Sequence, residues 1–171
     1  MPTDVFVEPG DLVIVEGPTF LGVVTRFVYA GARVITIPVD ELGMDVDALE
    51  VTLSDLKKQG IRPRFIYTIT TFHNPTGTTM PLFRRQKLVA LAAEYGVLVV
   101  EDDAYSVFAL PKRNCAPLAT LDQDGWVLYV STFSKIIAPG IRLGWACGDP
   151  AIIERLAMFK SEGTVGPRQT R

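Results

Sequence analysis

The sequence predicts an α/β fold, a three-layer α/β/α sandwich around a mostly parallel sheet with one antiparallel strand. Short, continuous apolar runs alternate along the chain with longer segments whose apolar residues recur at helical spacing. Strands that are apolar throughout are typical of a parallel sheet that helices cover on both faces. The runs predicted as strands are residues 12–16, 33–39, 64–69, 97–100, 126–130 and 141–147.

Start and stop signals delimit the helices between these strands. Pro18 or Thr19 begins the first helix, because proline is favoured in a first helical turn. The second helix begins at Asp45, with acidic residues near its positive end. Pro81 opens the third helix and Gly96 closes it. The predicted helices are residues 19–30, 45–60, 81–95 and 151–160.

The last two predicted strands, residues 126–130 and 141–147, are joined by a short connection. A parallel pair needs a full crossover, usually helical, of roughly ten residues or more. This connection leaves no room for such a crossover. We therefore expect the strand at 141–147 to be the antiparallel member of the sheet.

The composition excludes several functional classes. With 171 residues, 48% of them hydrophobic, the chain can bury one substantial core. A formal net charge of −2 gives no basic surface for nucleic acid. No apolar run approaches the roughly 20 residues of a membrane span. Cys115, Cys147 and one histidine do not supply a usual zinc site, so we interpret both cysteines as free thiols of a cytoplasmic protein.

Polar and aromatic residues follow the predicted strands, and each has an ordinary structural explanation. Asn74 begins an Asn-Pro-Thr-Gly turn, and an aspartate such as Asp102 commonly caps a helix. Phe20 suits a hydrophobic core, and His73, the single histidine, suits a packed loop. Lys135 lies in an apolar segment, but most lysines are solvated. None of these residues alone indicates a function.

Taken together, these residues match the chemical groups of one cofactor. The carboxyl ends of parallel strands meet at one edge of a sheet, where open α/β domains bind ligands. A phosphorylated pyridine aldehyde needs an amine for a Schiff base, a carboxylate for its ring nitrogen, and arginine and hydroxyl groups for its phosphate. It also needs an aromatic ring to stack on and neutral donors for its phenolate oxygen. The strand ends supply each of these groups.

The motifs that carry these groups occur in the order and approximate spacing of a known family. They are residues 16–20 (EGPTF), 74–77 (NPTG), 102–105 (DDAY), 132–135 (TFSK) and 142–144 (RLG). With them, the chain resembles the fold-type I pyridoxal 5′-phosphate enzymes, and most closely the class I/II aminotransferases, including the aminoadipate-type group. The resemblance covers nearly all of the chain. It implies transfer of an amino group between an L-amino acid and a 2-oxo acid.

The resemblance assigns roles to individual residues. Lys135 is expected to form the Schiff base and to move the proton between the substrate α-carbon and the cofactor. Asp102 is expected to pair with the pyridinium nitrogen. Asn74 and Tyr105 are expected to hydrogen-bond the phenolate oxygen, and Phe20 to stack on the ring.

The resemblance also assigns the phosphate-binding side chains. Arg142 and Thr132 match phosphate-binding positions of the family, with Ser134 as a weaker candidate. The family's spacing to the tyrosine selects Asp102 rather than Asp103 as the partner of the ring nitrogen.

The resemblance implies that residues 1–171 are the central part of a large cofactor-binding domain. We expect the family's Gly-rich phosphate loop to lie before residue 1 and its small domain after residue 171. Members of the family form homodimers, and we expect the full-length protein to do so. We expect little or no turnover from this chain alone.

Three alternatives to an aminotransferase stay open at this point. A transcription regulator that joins a winged-helix domain to an aminotransferase-like domain would contain the same motifs. A lyase or synthase on the same cofactor scaffold would also contain them. An inactive remnant that keeps only the fold is the third alternative.

Overall fold

The computed structural model describes residues 6–109 and 116–163, and Cys115 lies outside these ranges. The strands are β1 (Leu12–Gly17), β2 (Arg33–Asp40), β3 (Gly43–Met44), β4 (Phe65–Thr68), β5 (Leu98–Asp103), β6 (Val127–Thr132) and β7 (Gly144–Cys147). The helices are α1 (Leu21–Tyr29), α2 (Val46–Lys58), α3 (Leu82–Tyr95) and α4 (Pro150–Gly163).

The strands form one sheet in the order β3-β2-β1-β4-β5-β6-β7. Strands β1, β2, β4, β5 and β6 are parallel neighbours, which confirms the predicted parallel sheet. As predicted, β7 is antiparallel to β6. It begins at Gly144 rather than at Ile141, because residues 139–141 form a 3₁₀ turn. Strand β3 adds a second antiparallel strand, which was not predicted because its two residues are too few to show a period.

Helices cover both faces of the sheet and complete the three predicted layers. Helices α2 and α3 pack on one face, and α1 and α4 pack on the other. Side chains of β1 alternate between these two cores, as the pleat of a strand requires. Leu12 and Ile14 lie in the core with α2 and α3, and Val13 and Val15 lie in the core with α1 and α4.

The helices begin and end near their predicted signals. Oδ1 of Asp45 accepts hydrogen bonds from the backbone N–H groups of Asp47 and Ala48 at 3.0 Å, which caps α2. Helix α3 ends at Gly96, whose φ of 61° lies in the left-handed region that favours glycine. None of the helices within the described ranges is long and apolar enough to cross a membrane.

The order of the strands reverses between β1 and β4. Strands β2 and β3 extend the sheet on one side of this pair, and β5, β6 and β7 extend it on the other. Open α/β sheets bind ligands outside the carboxyl ends of the strands at such a reversal. We therefore expect a ligand site in the segments that follow β1, β4, β5 and β6.

Candidate active site

The predicted site residues lie at the carboxyl edge of the parallel strands. Phe20 directly precedes α1 and is 40% exposed. Asn74 lies in the turn that follows β4. Asp102 lies near the end of β5 and Thr132 ends β6, and these two strands pair in parallel. Residues far apart in the sequence thus meet at one edge because their strands are parallel.

The connection between β6 and β7 adds the remaining predicted residues to this edge. Its two ends stay together because Thr132 lies opposite Gly144 in the antiparallel pair. Lys135 is exposed within the connection, and its Nζ lies 6.0 Å from the centre of the Tyr105 ring. Arg142 is also exposed and lies just before β7. The structure therefore places the predicted lysine beside the predicted tyrosine.

The hydroxyl group of Thr132 shapes this connection. Its Oγ1 accepts a hydrogen bond from the backbone N–H of Ser134 at 3.1 Å and lies 3.3 Å from the carbonyl oxygen of Leu143, to which the hydroxyl donates. Arg142 has a φ of 55°, an uncommon conformation for a residue other than glycine. Hydroxyl, amide and guanidinium groups are thus held within one short loop.

Asp102 is hydrogen-bonded to a residue that none of the sequence motifs includes. The hydroxyl of Tyr67, a buried residue of β4, donates to Oδ2 of Asp102 at 2.6 Å. Burial raises the pKa of the Asp102 carboxyl, the Tyr67 hydrogen bond lowers it, and the charges of Asp103 and Glu16 raise it, so that the pKa stays above its usual value. The available sequence signal was a single tyrosine in a short, fully buried strand.

Asp103 serves the structure of the turn that follows β5. It accepts a hydrogen bond from the backbone N–H of Ser106 at 2.9 Å and another from the hydroxyl of Ser106. The hydroxyl of Tyr129 donates to Oδ2 of Asp103 at 2.9 Å. Consecutive residues of a strand point to opposite faces, so the two aspartates have different surroundings. These contacts explain Asp103 as a capping residue.

A buried carboxylate anchors the turn that carries Asn74. Glu16 is 1% exposed and accepts hydrogen bonds from the Thr68 hydroxyl at 2.8 Å and from the Ile69 backbone N–H at 2.9 Å. Nε2 of His73 lies 3.0 Å from Oε2 of Glu16, close but poorly aligned for a hydrogen bond, so we treat the contact as electrostatic. The packed position predicted for His73 is confirmed. Its anchoring of the turn was not predicted.

A second buried carboxylate lies at the same end of β5. Oε1 of Glu101 accepts from the Thr70 hydroxyl at 2.5 Å, and Oε2 accepts from the Leu118 backbone N–H at 2.7 Å. Arg85 lies 3.6 Å from this carboxylate. Burial raises the pKa of Glu101 from 4.5 to about 7, against the lowering effect of these three contacts.

Comparison with known families identifies the chain. The family described as "Aminotransferase class I and II" matches residues 3–171. The chain belongs to the class I and II aminotransferases. The resemblance inferred from the motifs is thereby confirmed.

Individual relatives of this aminotransferase chain agree with the assignment. An aromatic-amino-acid aminotransferase of Thermococcus litoralis is 42% identical over 156 residues, which are 91% of this chain and 37% of that protein. The crystal structure of a kynurenine aminotransferase of Pyrococcus horikoshii in complex with PMP superposes with a TM-score of 0.88 at 43% identity and covers 95% of this chain and 40% of that one. The chain thus spans well under half the length of these relatives.

One relative belongs to another functional class. An uncharacterized HTH-type transcriptional regulator of Bacillus subtilis is 35% identical over 155 residues, which are 91% of this chain and 31% of the regulator. The same segment is therefore similar to parts of both enzymes and a regulator.

The side chains at the edge of this aminotransferase sheet fit pyridoxal 5′-phosphate. Oδ2 of Asp102 is occupied by Tyr67, but Oδ1 receives no hydrogen bond from the described residues. Oγ1 of Thr19, directly after β1, is buried and has no hydrogen-bond partner within the same residues. Buried polar atoms are normally satisfied, and a polar ligand bound at this edge would supply such partners. An amine, a carboxylate and a guanidinium accompany them at this edge.

Proposed function

We propose that this chain forms the pyridoxal 5′-phosphate-binding part of an aminotransferase that acts on an L-amino acid and a 2-oxo acid. The observation that carries the proposal is the placement of Asp102 near the end of β5 and of Lys135 in the connection that follows β6, the parallel neighbour of β5, within a family match over residues 3–171. When bound, the cofactor supplies an aldehyde for the amino group and a ring that accepts electrons from the substrate α-carbon.

Lys135 has two roles in this proposal. Its Nζ would hold the cofactor at the aldehyde carbon, and the same amine, when free, would carry a proton to or from the substrate α-carbon. Its exposed position beside Tyr105 supports both roles, because the amine can reach a ligand at the edge and move away from it.

Asp102 holds the positive charge of the cofactor's ring nitrogen. A carboxylate beside that nitrogen favours its protonated form, because opposite charges within hydrogen-bond distance stabilise each other. Asn74 and Tyr105 donate to the phenolate oxygen of the ring, and Phe20 stacks on its face. Phe20 is 40% exposed at the edge, which supports contact with a ligand rather than with the core.

Arg142 and Thr132 bind the phosphate group, and Ser134 contributes a further donor. A guanidinium group binds phosphate through two parallel hydrogen bonds, which fixes orientation as well as position. To bind the phosphate, the Thr132 hydroxyl would exchange its 3.3 Å contact with the Leu143 carbonyl oxygen for one with a phosphate oxygen.

Borohydride reduction in the presence of the cofactor tests the proposal. Reduction traps a cofactor bound through a lysine amine, so peptide mapping should find the label on Lys135. Lys135→Ala should lose this label, while Lys57→Arg, which changes a lysine of α2, should keep it. A folded wild-type protein that carries no label on Lys135 would contradict the proposal.

The regulator class provides a second candidate function. It is favoured by the likeness to the regulator of Bacillus subtilis. A winged-helix segment in the same reading frame upstream of this sequence would favour the regulator. Amino-group transfer by the full-length protein, without such a segment, would favour the enzyme.

We also propose that residues 1–171 form part of a large cofactor-binding domain in a cytoplasmic homodimer. The family match and the shares of the relatives' lengths support this assignment. Sedimentation of the full-length protein should give twice the monomer mass, and a monomer at micromolar concentration would contradict the assembly.

A further inference from the structure

Tyr67 places a hydroxyl group directly on the proposed partner of the cofactor's ring nitrogen. It lies in β4, and its side chain is 3% exposed. Its hydroxyl donates to Oδ2 of Asp102 at 2.6 Å across 35 positions of sequence. Tyr67 lies outside every motif that indicates the family.

The surroundings of Tyr67 fix the position of this hydroxyl. The ring belongs to the apolar core on the α1 face of the sheet. Phe27 of α1 packs edge-on against it, with ring centres 5.9 Å apart at 74°. A side chain held in a close-packed core presents its polar group in one place, which organises the partner before a ligand binds.

The hydrogen bond from Tyr67 has two effects on the Asp102 carboxylate. It occupies Oδ2 and so restrains rotation of the group, while Oδ1 is left without a bond from the described residues. It also favours the ionised carboxylate. Burial and the nearby charges of Asp103 and Glu16 act in the opposite direction.

We propose that Tyr67 is a positioning residue for the cofactor, because its hydroxyl holds the Asp102 carboxylate so that Oδ1 accepts the hydrogen bond of the ring nitrogen. The inference rests on the proposed function, since it requires a pyridine ring beside Asp102. A purely structural role, in which Tyr67 only fills the core, predicts that the ring nitrogen is insensitive to the hydroxyl.

The test uses the purified protein, pyridoxal 5′-phosphate labelled with ¹⁵N in its ring, and the variant Tyr67→Phe. Without the hydroxyl, Asp102 attracts the shared proton more strongly, so the ring ¹⁵N chemical shift should move toward that of unprotonated pyridine. The dissociation constant of the cofactor, from an absorbance titration, should rise about tenfold, which corresponds to about 1.4 kcal/mol.

Tyr129→Phe provides the matched control, because it removes a tyrosine–aspartate hydrogen bond at Asp103 instead. This control should leave the ring ¹⁵N shift at its wild-type value. In the background of Asp102→Asn, Tyr67→Phe should change neither the shift nor the dissociation constant further, because Tyr67 acts through Asp102. An additional change of similar size in that background would overturn the inference.

A second modification covers the case in which Tyr67→Phe folds poorly. Replacing Tyr67 with 3,5-difluorotyrosine keeps the ring and makes the hydroxyl a stronger donor, so the ring ¹⁵N shift should move toward pyridinium. A wild-type protein that binds no cofactor contradicts the proposed function and the inference together. A wild type that binds it, with unchanged shifts in both Tyr67 variants, contradicts the inference alone.

Discussion

Adjacent carboxylates at the end of β5 point to opposite faces of the sheet and meet different partners. Asp102 accepts one hydrogen bond, from Tyr67, and keeps an oxygen without one from the described residues. Asp103 accepts four, from Tyr105, Ser106 and Tyr129, and closes a turn. A carboxylate whose two oxygens both accept hydrogen bonds from the protein stabilises the fold, whereas one with an available oxygen is suited to a ligand.

Glu101 makes the stability of the protein depend on pH. Its pKa is about 7 in the folded protein, against an ordinary value of 4.5, because of burial. Between these pH values the folded protein binds more protons than the unfolded chain, so the free energy of unfolding falls as pH rises from about 4.5 to about 7. The contribution is about 3 kcal/mol over this window.

Glu101→Gln should remove most of this dependence on pH, because a glutamine does not titrate. Urea unfolding of the wild type and the variant at several pH values between 4.5 and 7 measures how the free energy of unfolding changes with pH. The control Glu94→Gln, at an exposed position of α3, should keep the wild-type slope of the free energy of unfolding against pH. An unchanged slope in Glu101→Gln would contradict the assignment of this pH dependence to Glu101.

At the scale of elements, a residue near the end of β1, Glu16, anchors the turn that follows β4. Both oxygens of Glu16 accept hydrogen bonds from residues at the end of β4, and His73 lies against the same carboxylate. Nδ1 of His73 lies 2.8 Å from the hydroxyl of Thr76, which closes the turn around Asn74. The two strands beside the reversal of the sheet therefore fix the segment that carries Asn74.

Glu16→Gln should weaken this connection. The amide nitrogen of glutamine cannot accept a hydrogen bond, so either Thr68 or Ile69 loses its acceptor inside the core. We expect a loss of about 1–3 kcal/mol in the free energy of unfolding, measured with urea. Glu8→Gln, at an exposed position, should stay within about 0.5 kcal/mol of wild type. Equal stability of the two variants would contradict the anchoring role.

The elements that the sequence predicted correctly are those with local signals. Continuous apolar runs gave the long strands, and Asp45 and Gly96 gave helix ends that the structure confirms. Two differences have physical reasons. Strand β3 has two residues and no period, and residues 139–141 turn because a proline begins that segment.

From the sequence, the candidate site could be proposed only through its motif residues. The contact between Tyr67 and Asp102 joins positions 35 apart, and the one between Thr68 and Glu16 joins positions 52 apart. Such pairs depend on which strands become neighbours and in which register. A single sequence carries no local pattern for either property, whereas a turn or a helix cap is specified within a few residues.

At the scale of the whole molecule, the site exists only when the sheet is folded. Its residues come from the ends of β1, β4, β5 and β6, which the unfolded chain does not hold together. A ligand that binds the folded state alone stabilises it by mass action. The proposed cofactor binding would therefore be linked to folding of the whole sheet.

Added pyridoxal 5′-phosphate should raise the thermal midpoint of the protein. At about 100 times its dissociation constant, a ligand specific for the folded state adds about 2.7 kcal/mol. Differential scanning calorimetry measures the change. Pyridoxal without the phosphate should stabilise less at equal concentration, since it lacks the contacts proposed for Arg142 and Thr132. A wild-type thermal midpoint that does not change when the cofactor is added would contradict specific binding to the folded chain.

The ring pair formed by Phe133 and Trp145 gives this edge of the sheet an optical property. Their centres are 4.7 Å apart, and Phe133 lies between Thr132 and Lys135 in the chain. The other tryptophan of the chain, Trp126, lies just before β6, with the Arg62 guanidinium 5.9 Å from its ring. The protein therefore carries an intrinsic fluorophore, Trp145 of β7, beside the candidate site, and a reference fluorophore, Trp126, at the opposite end of the neighbouring strand β6.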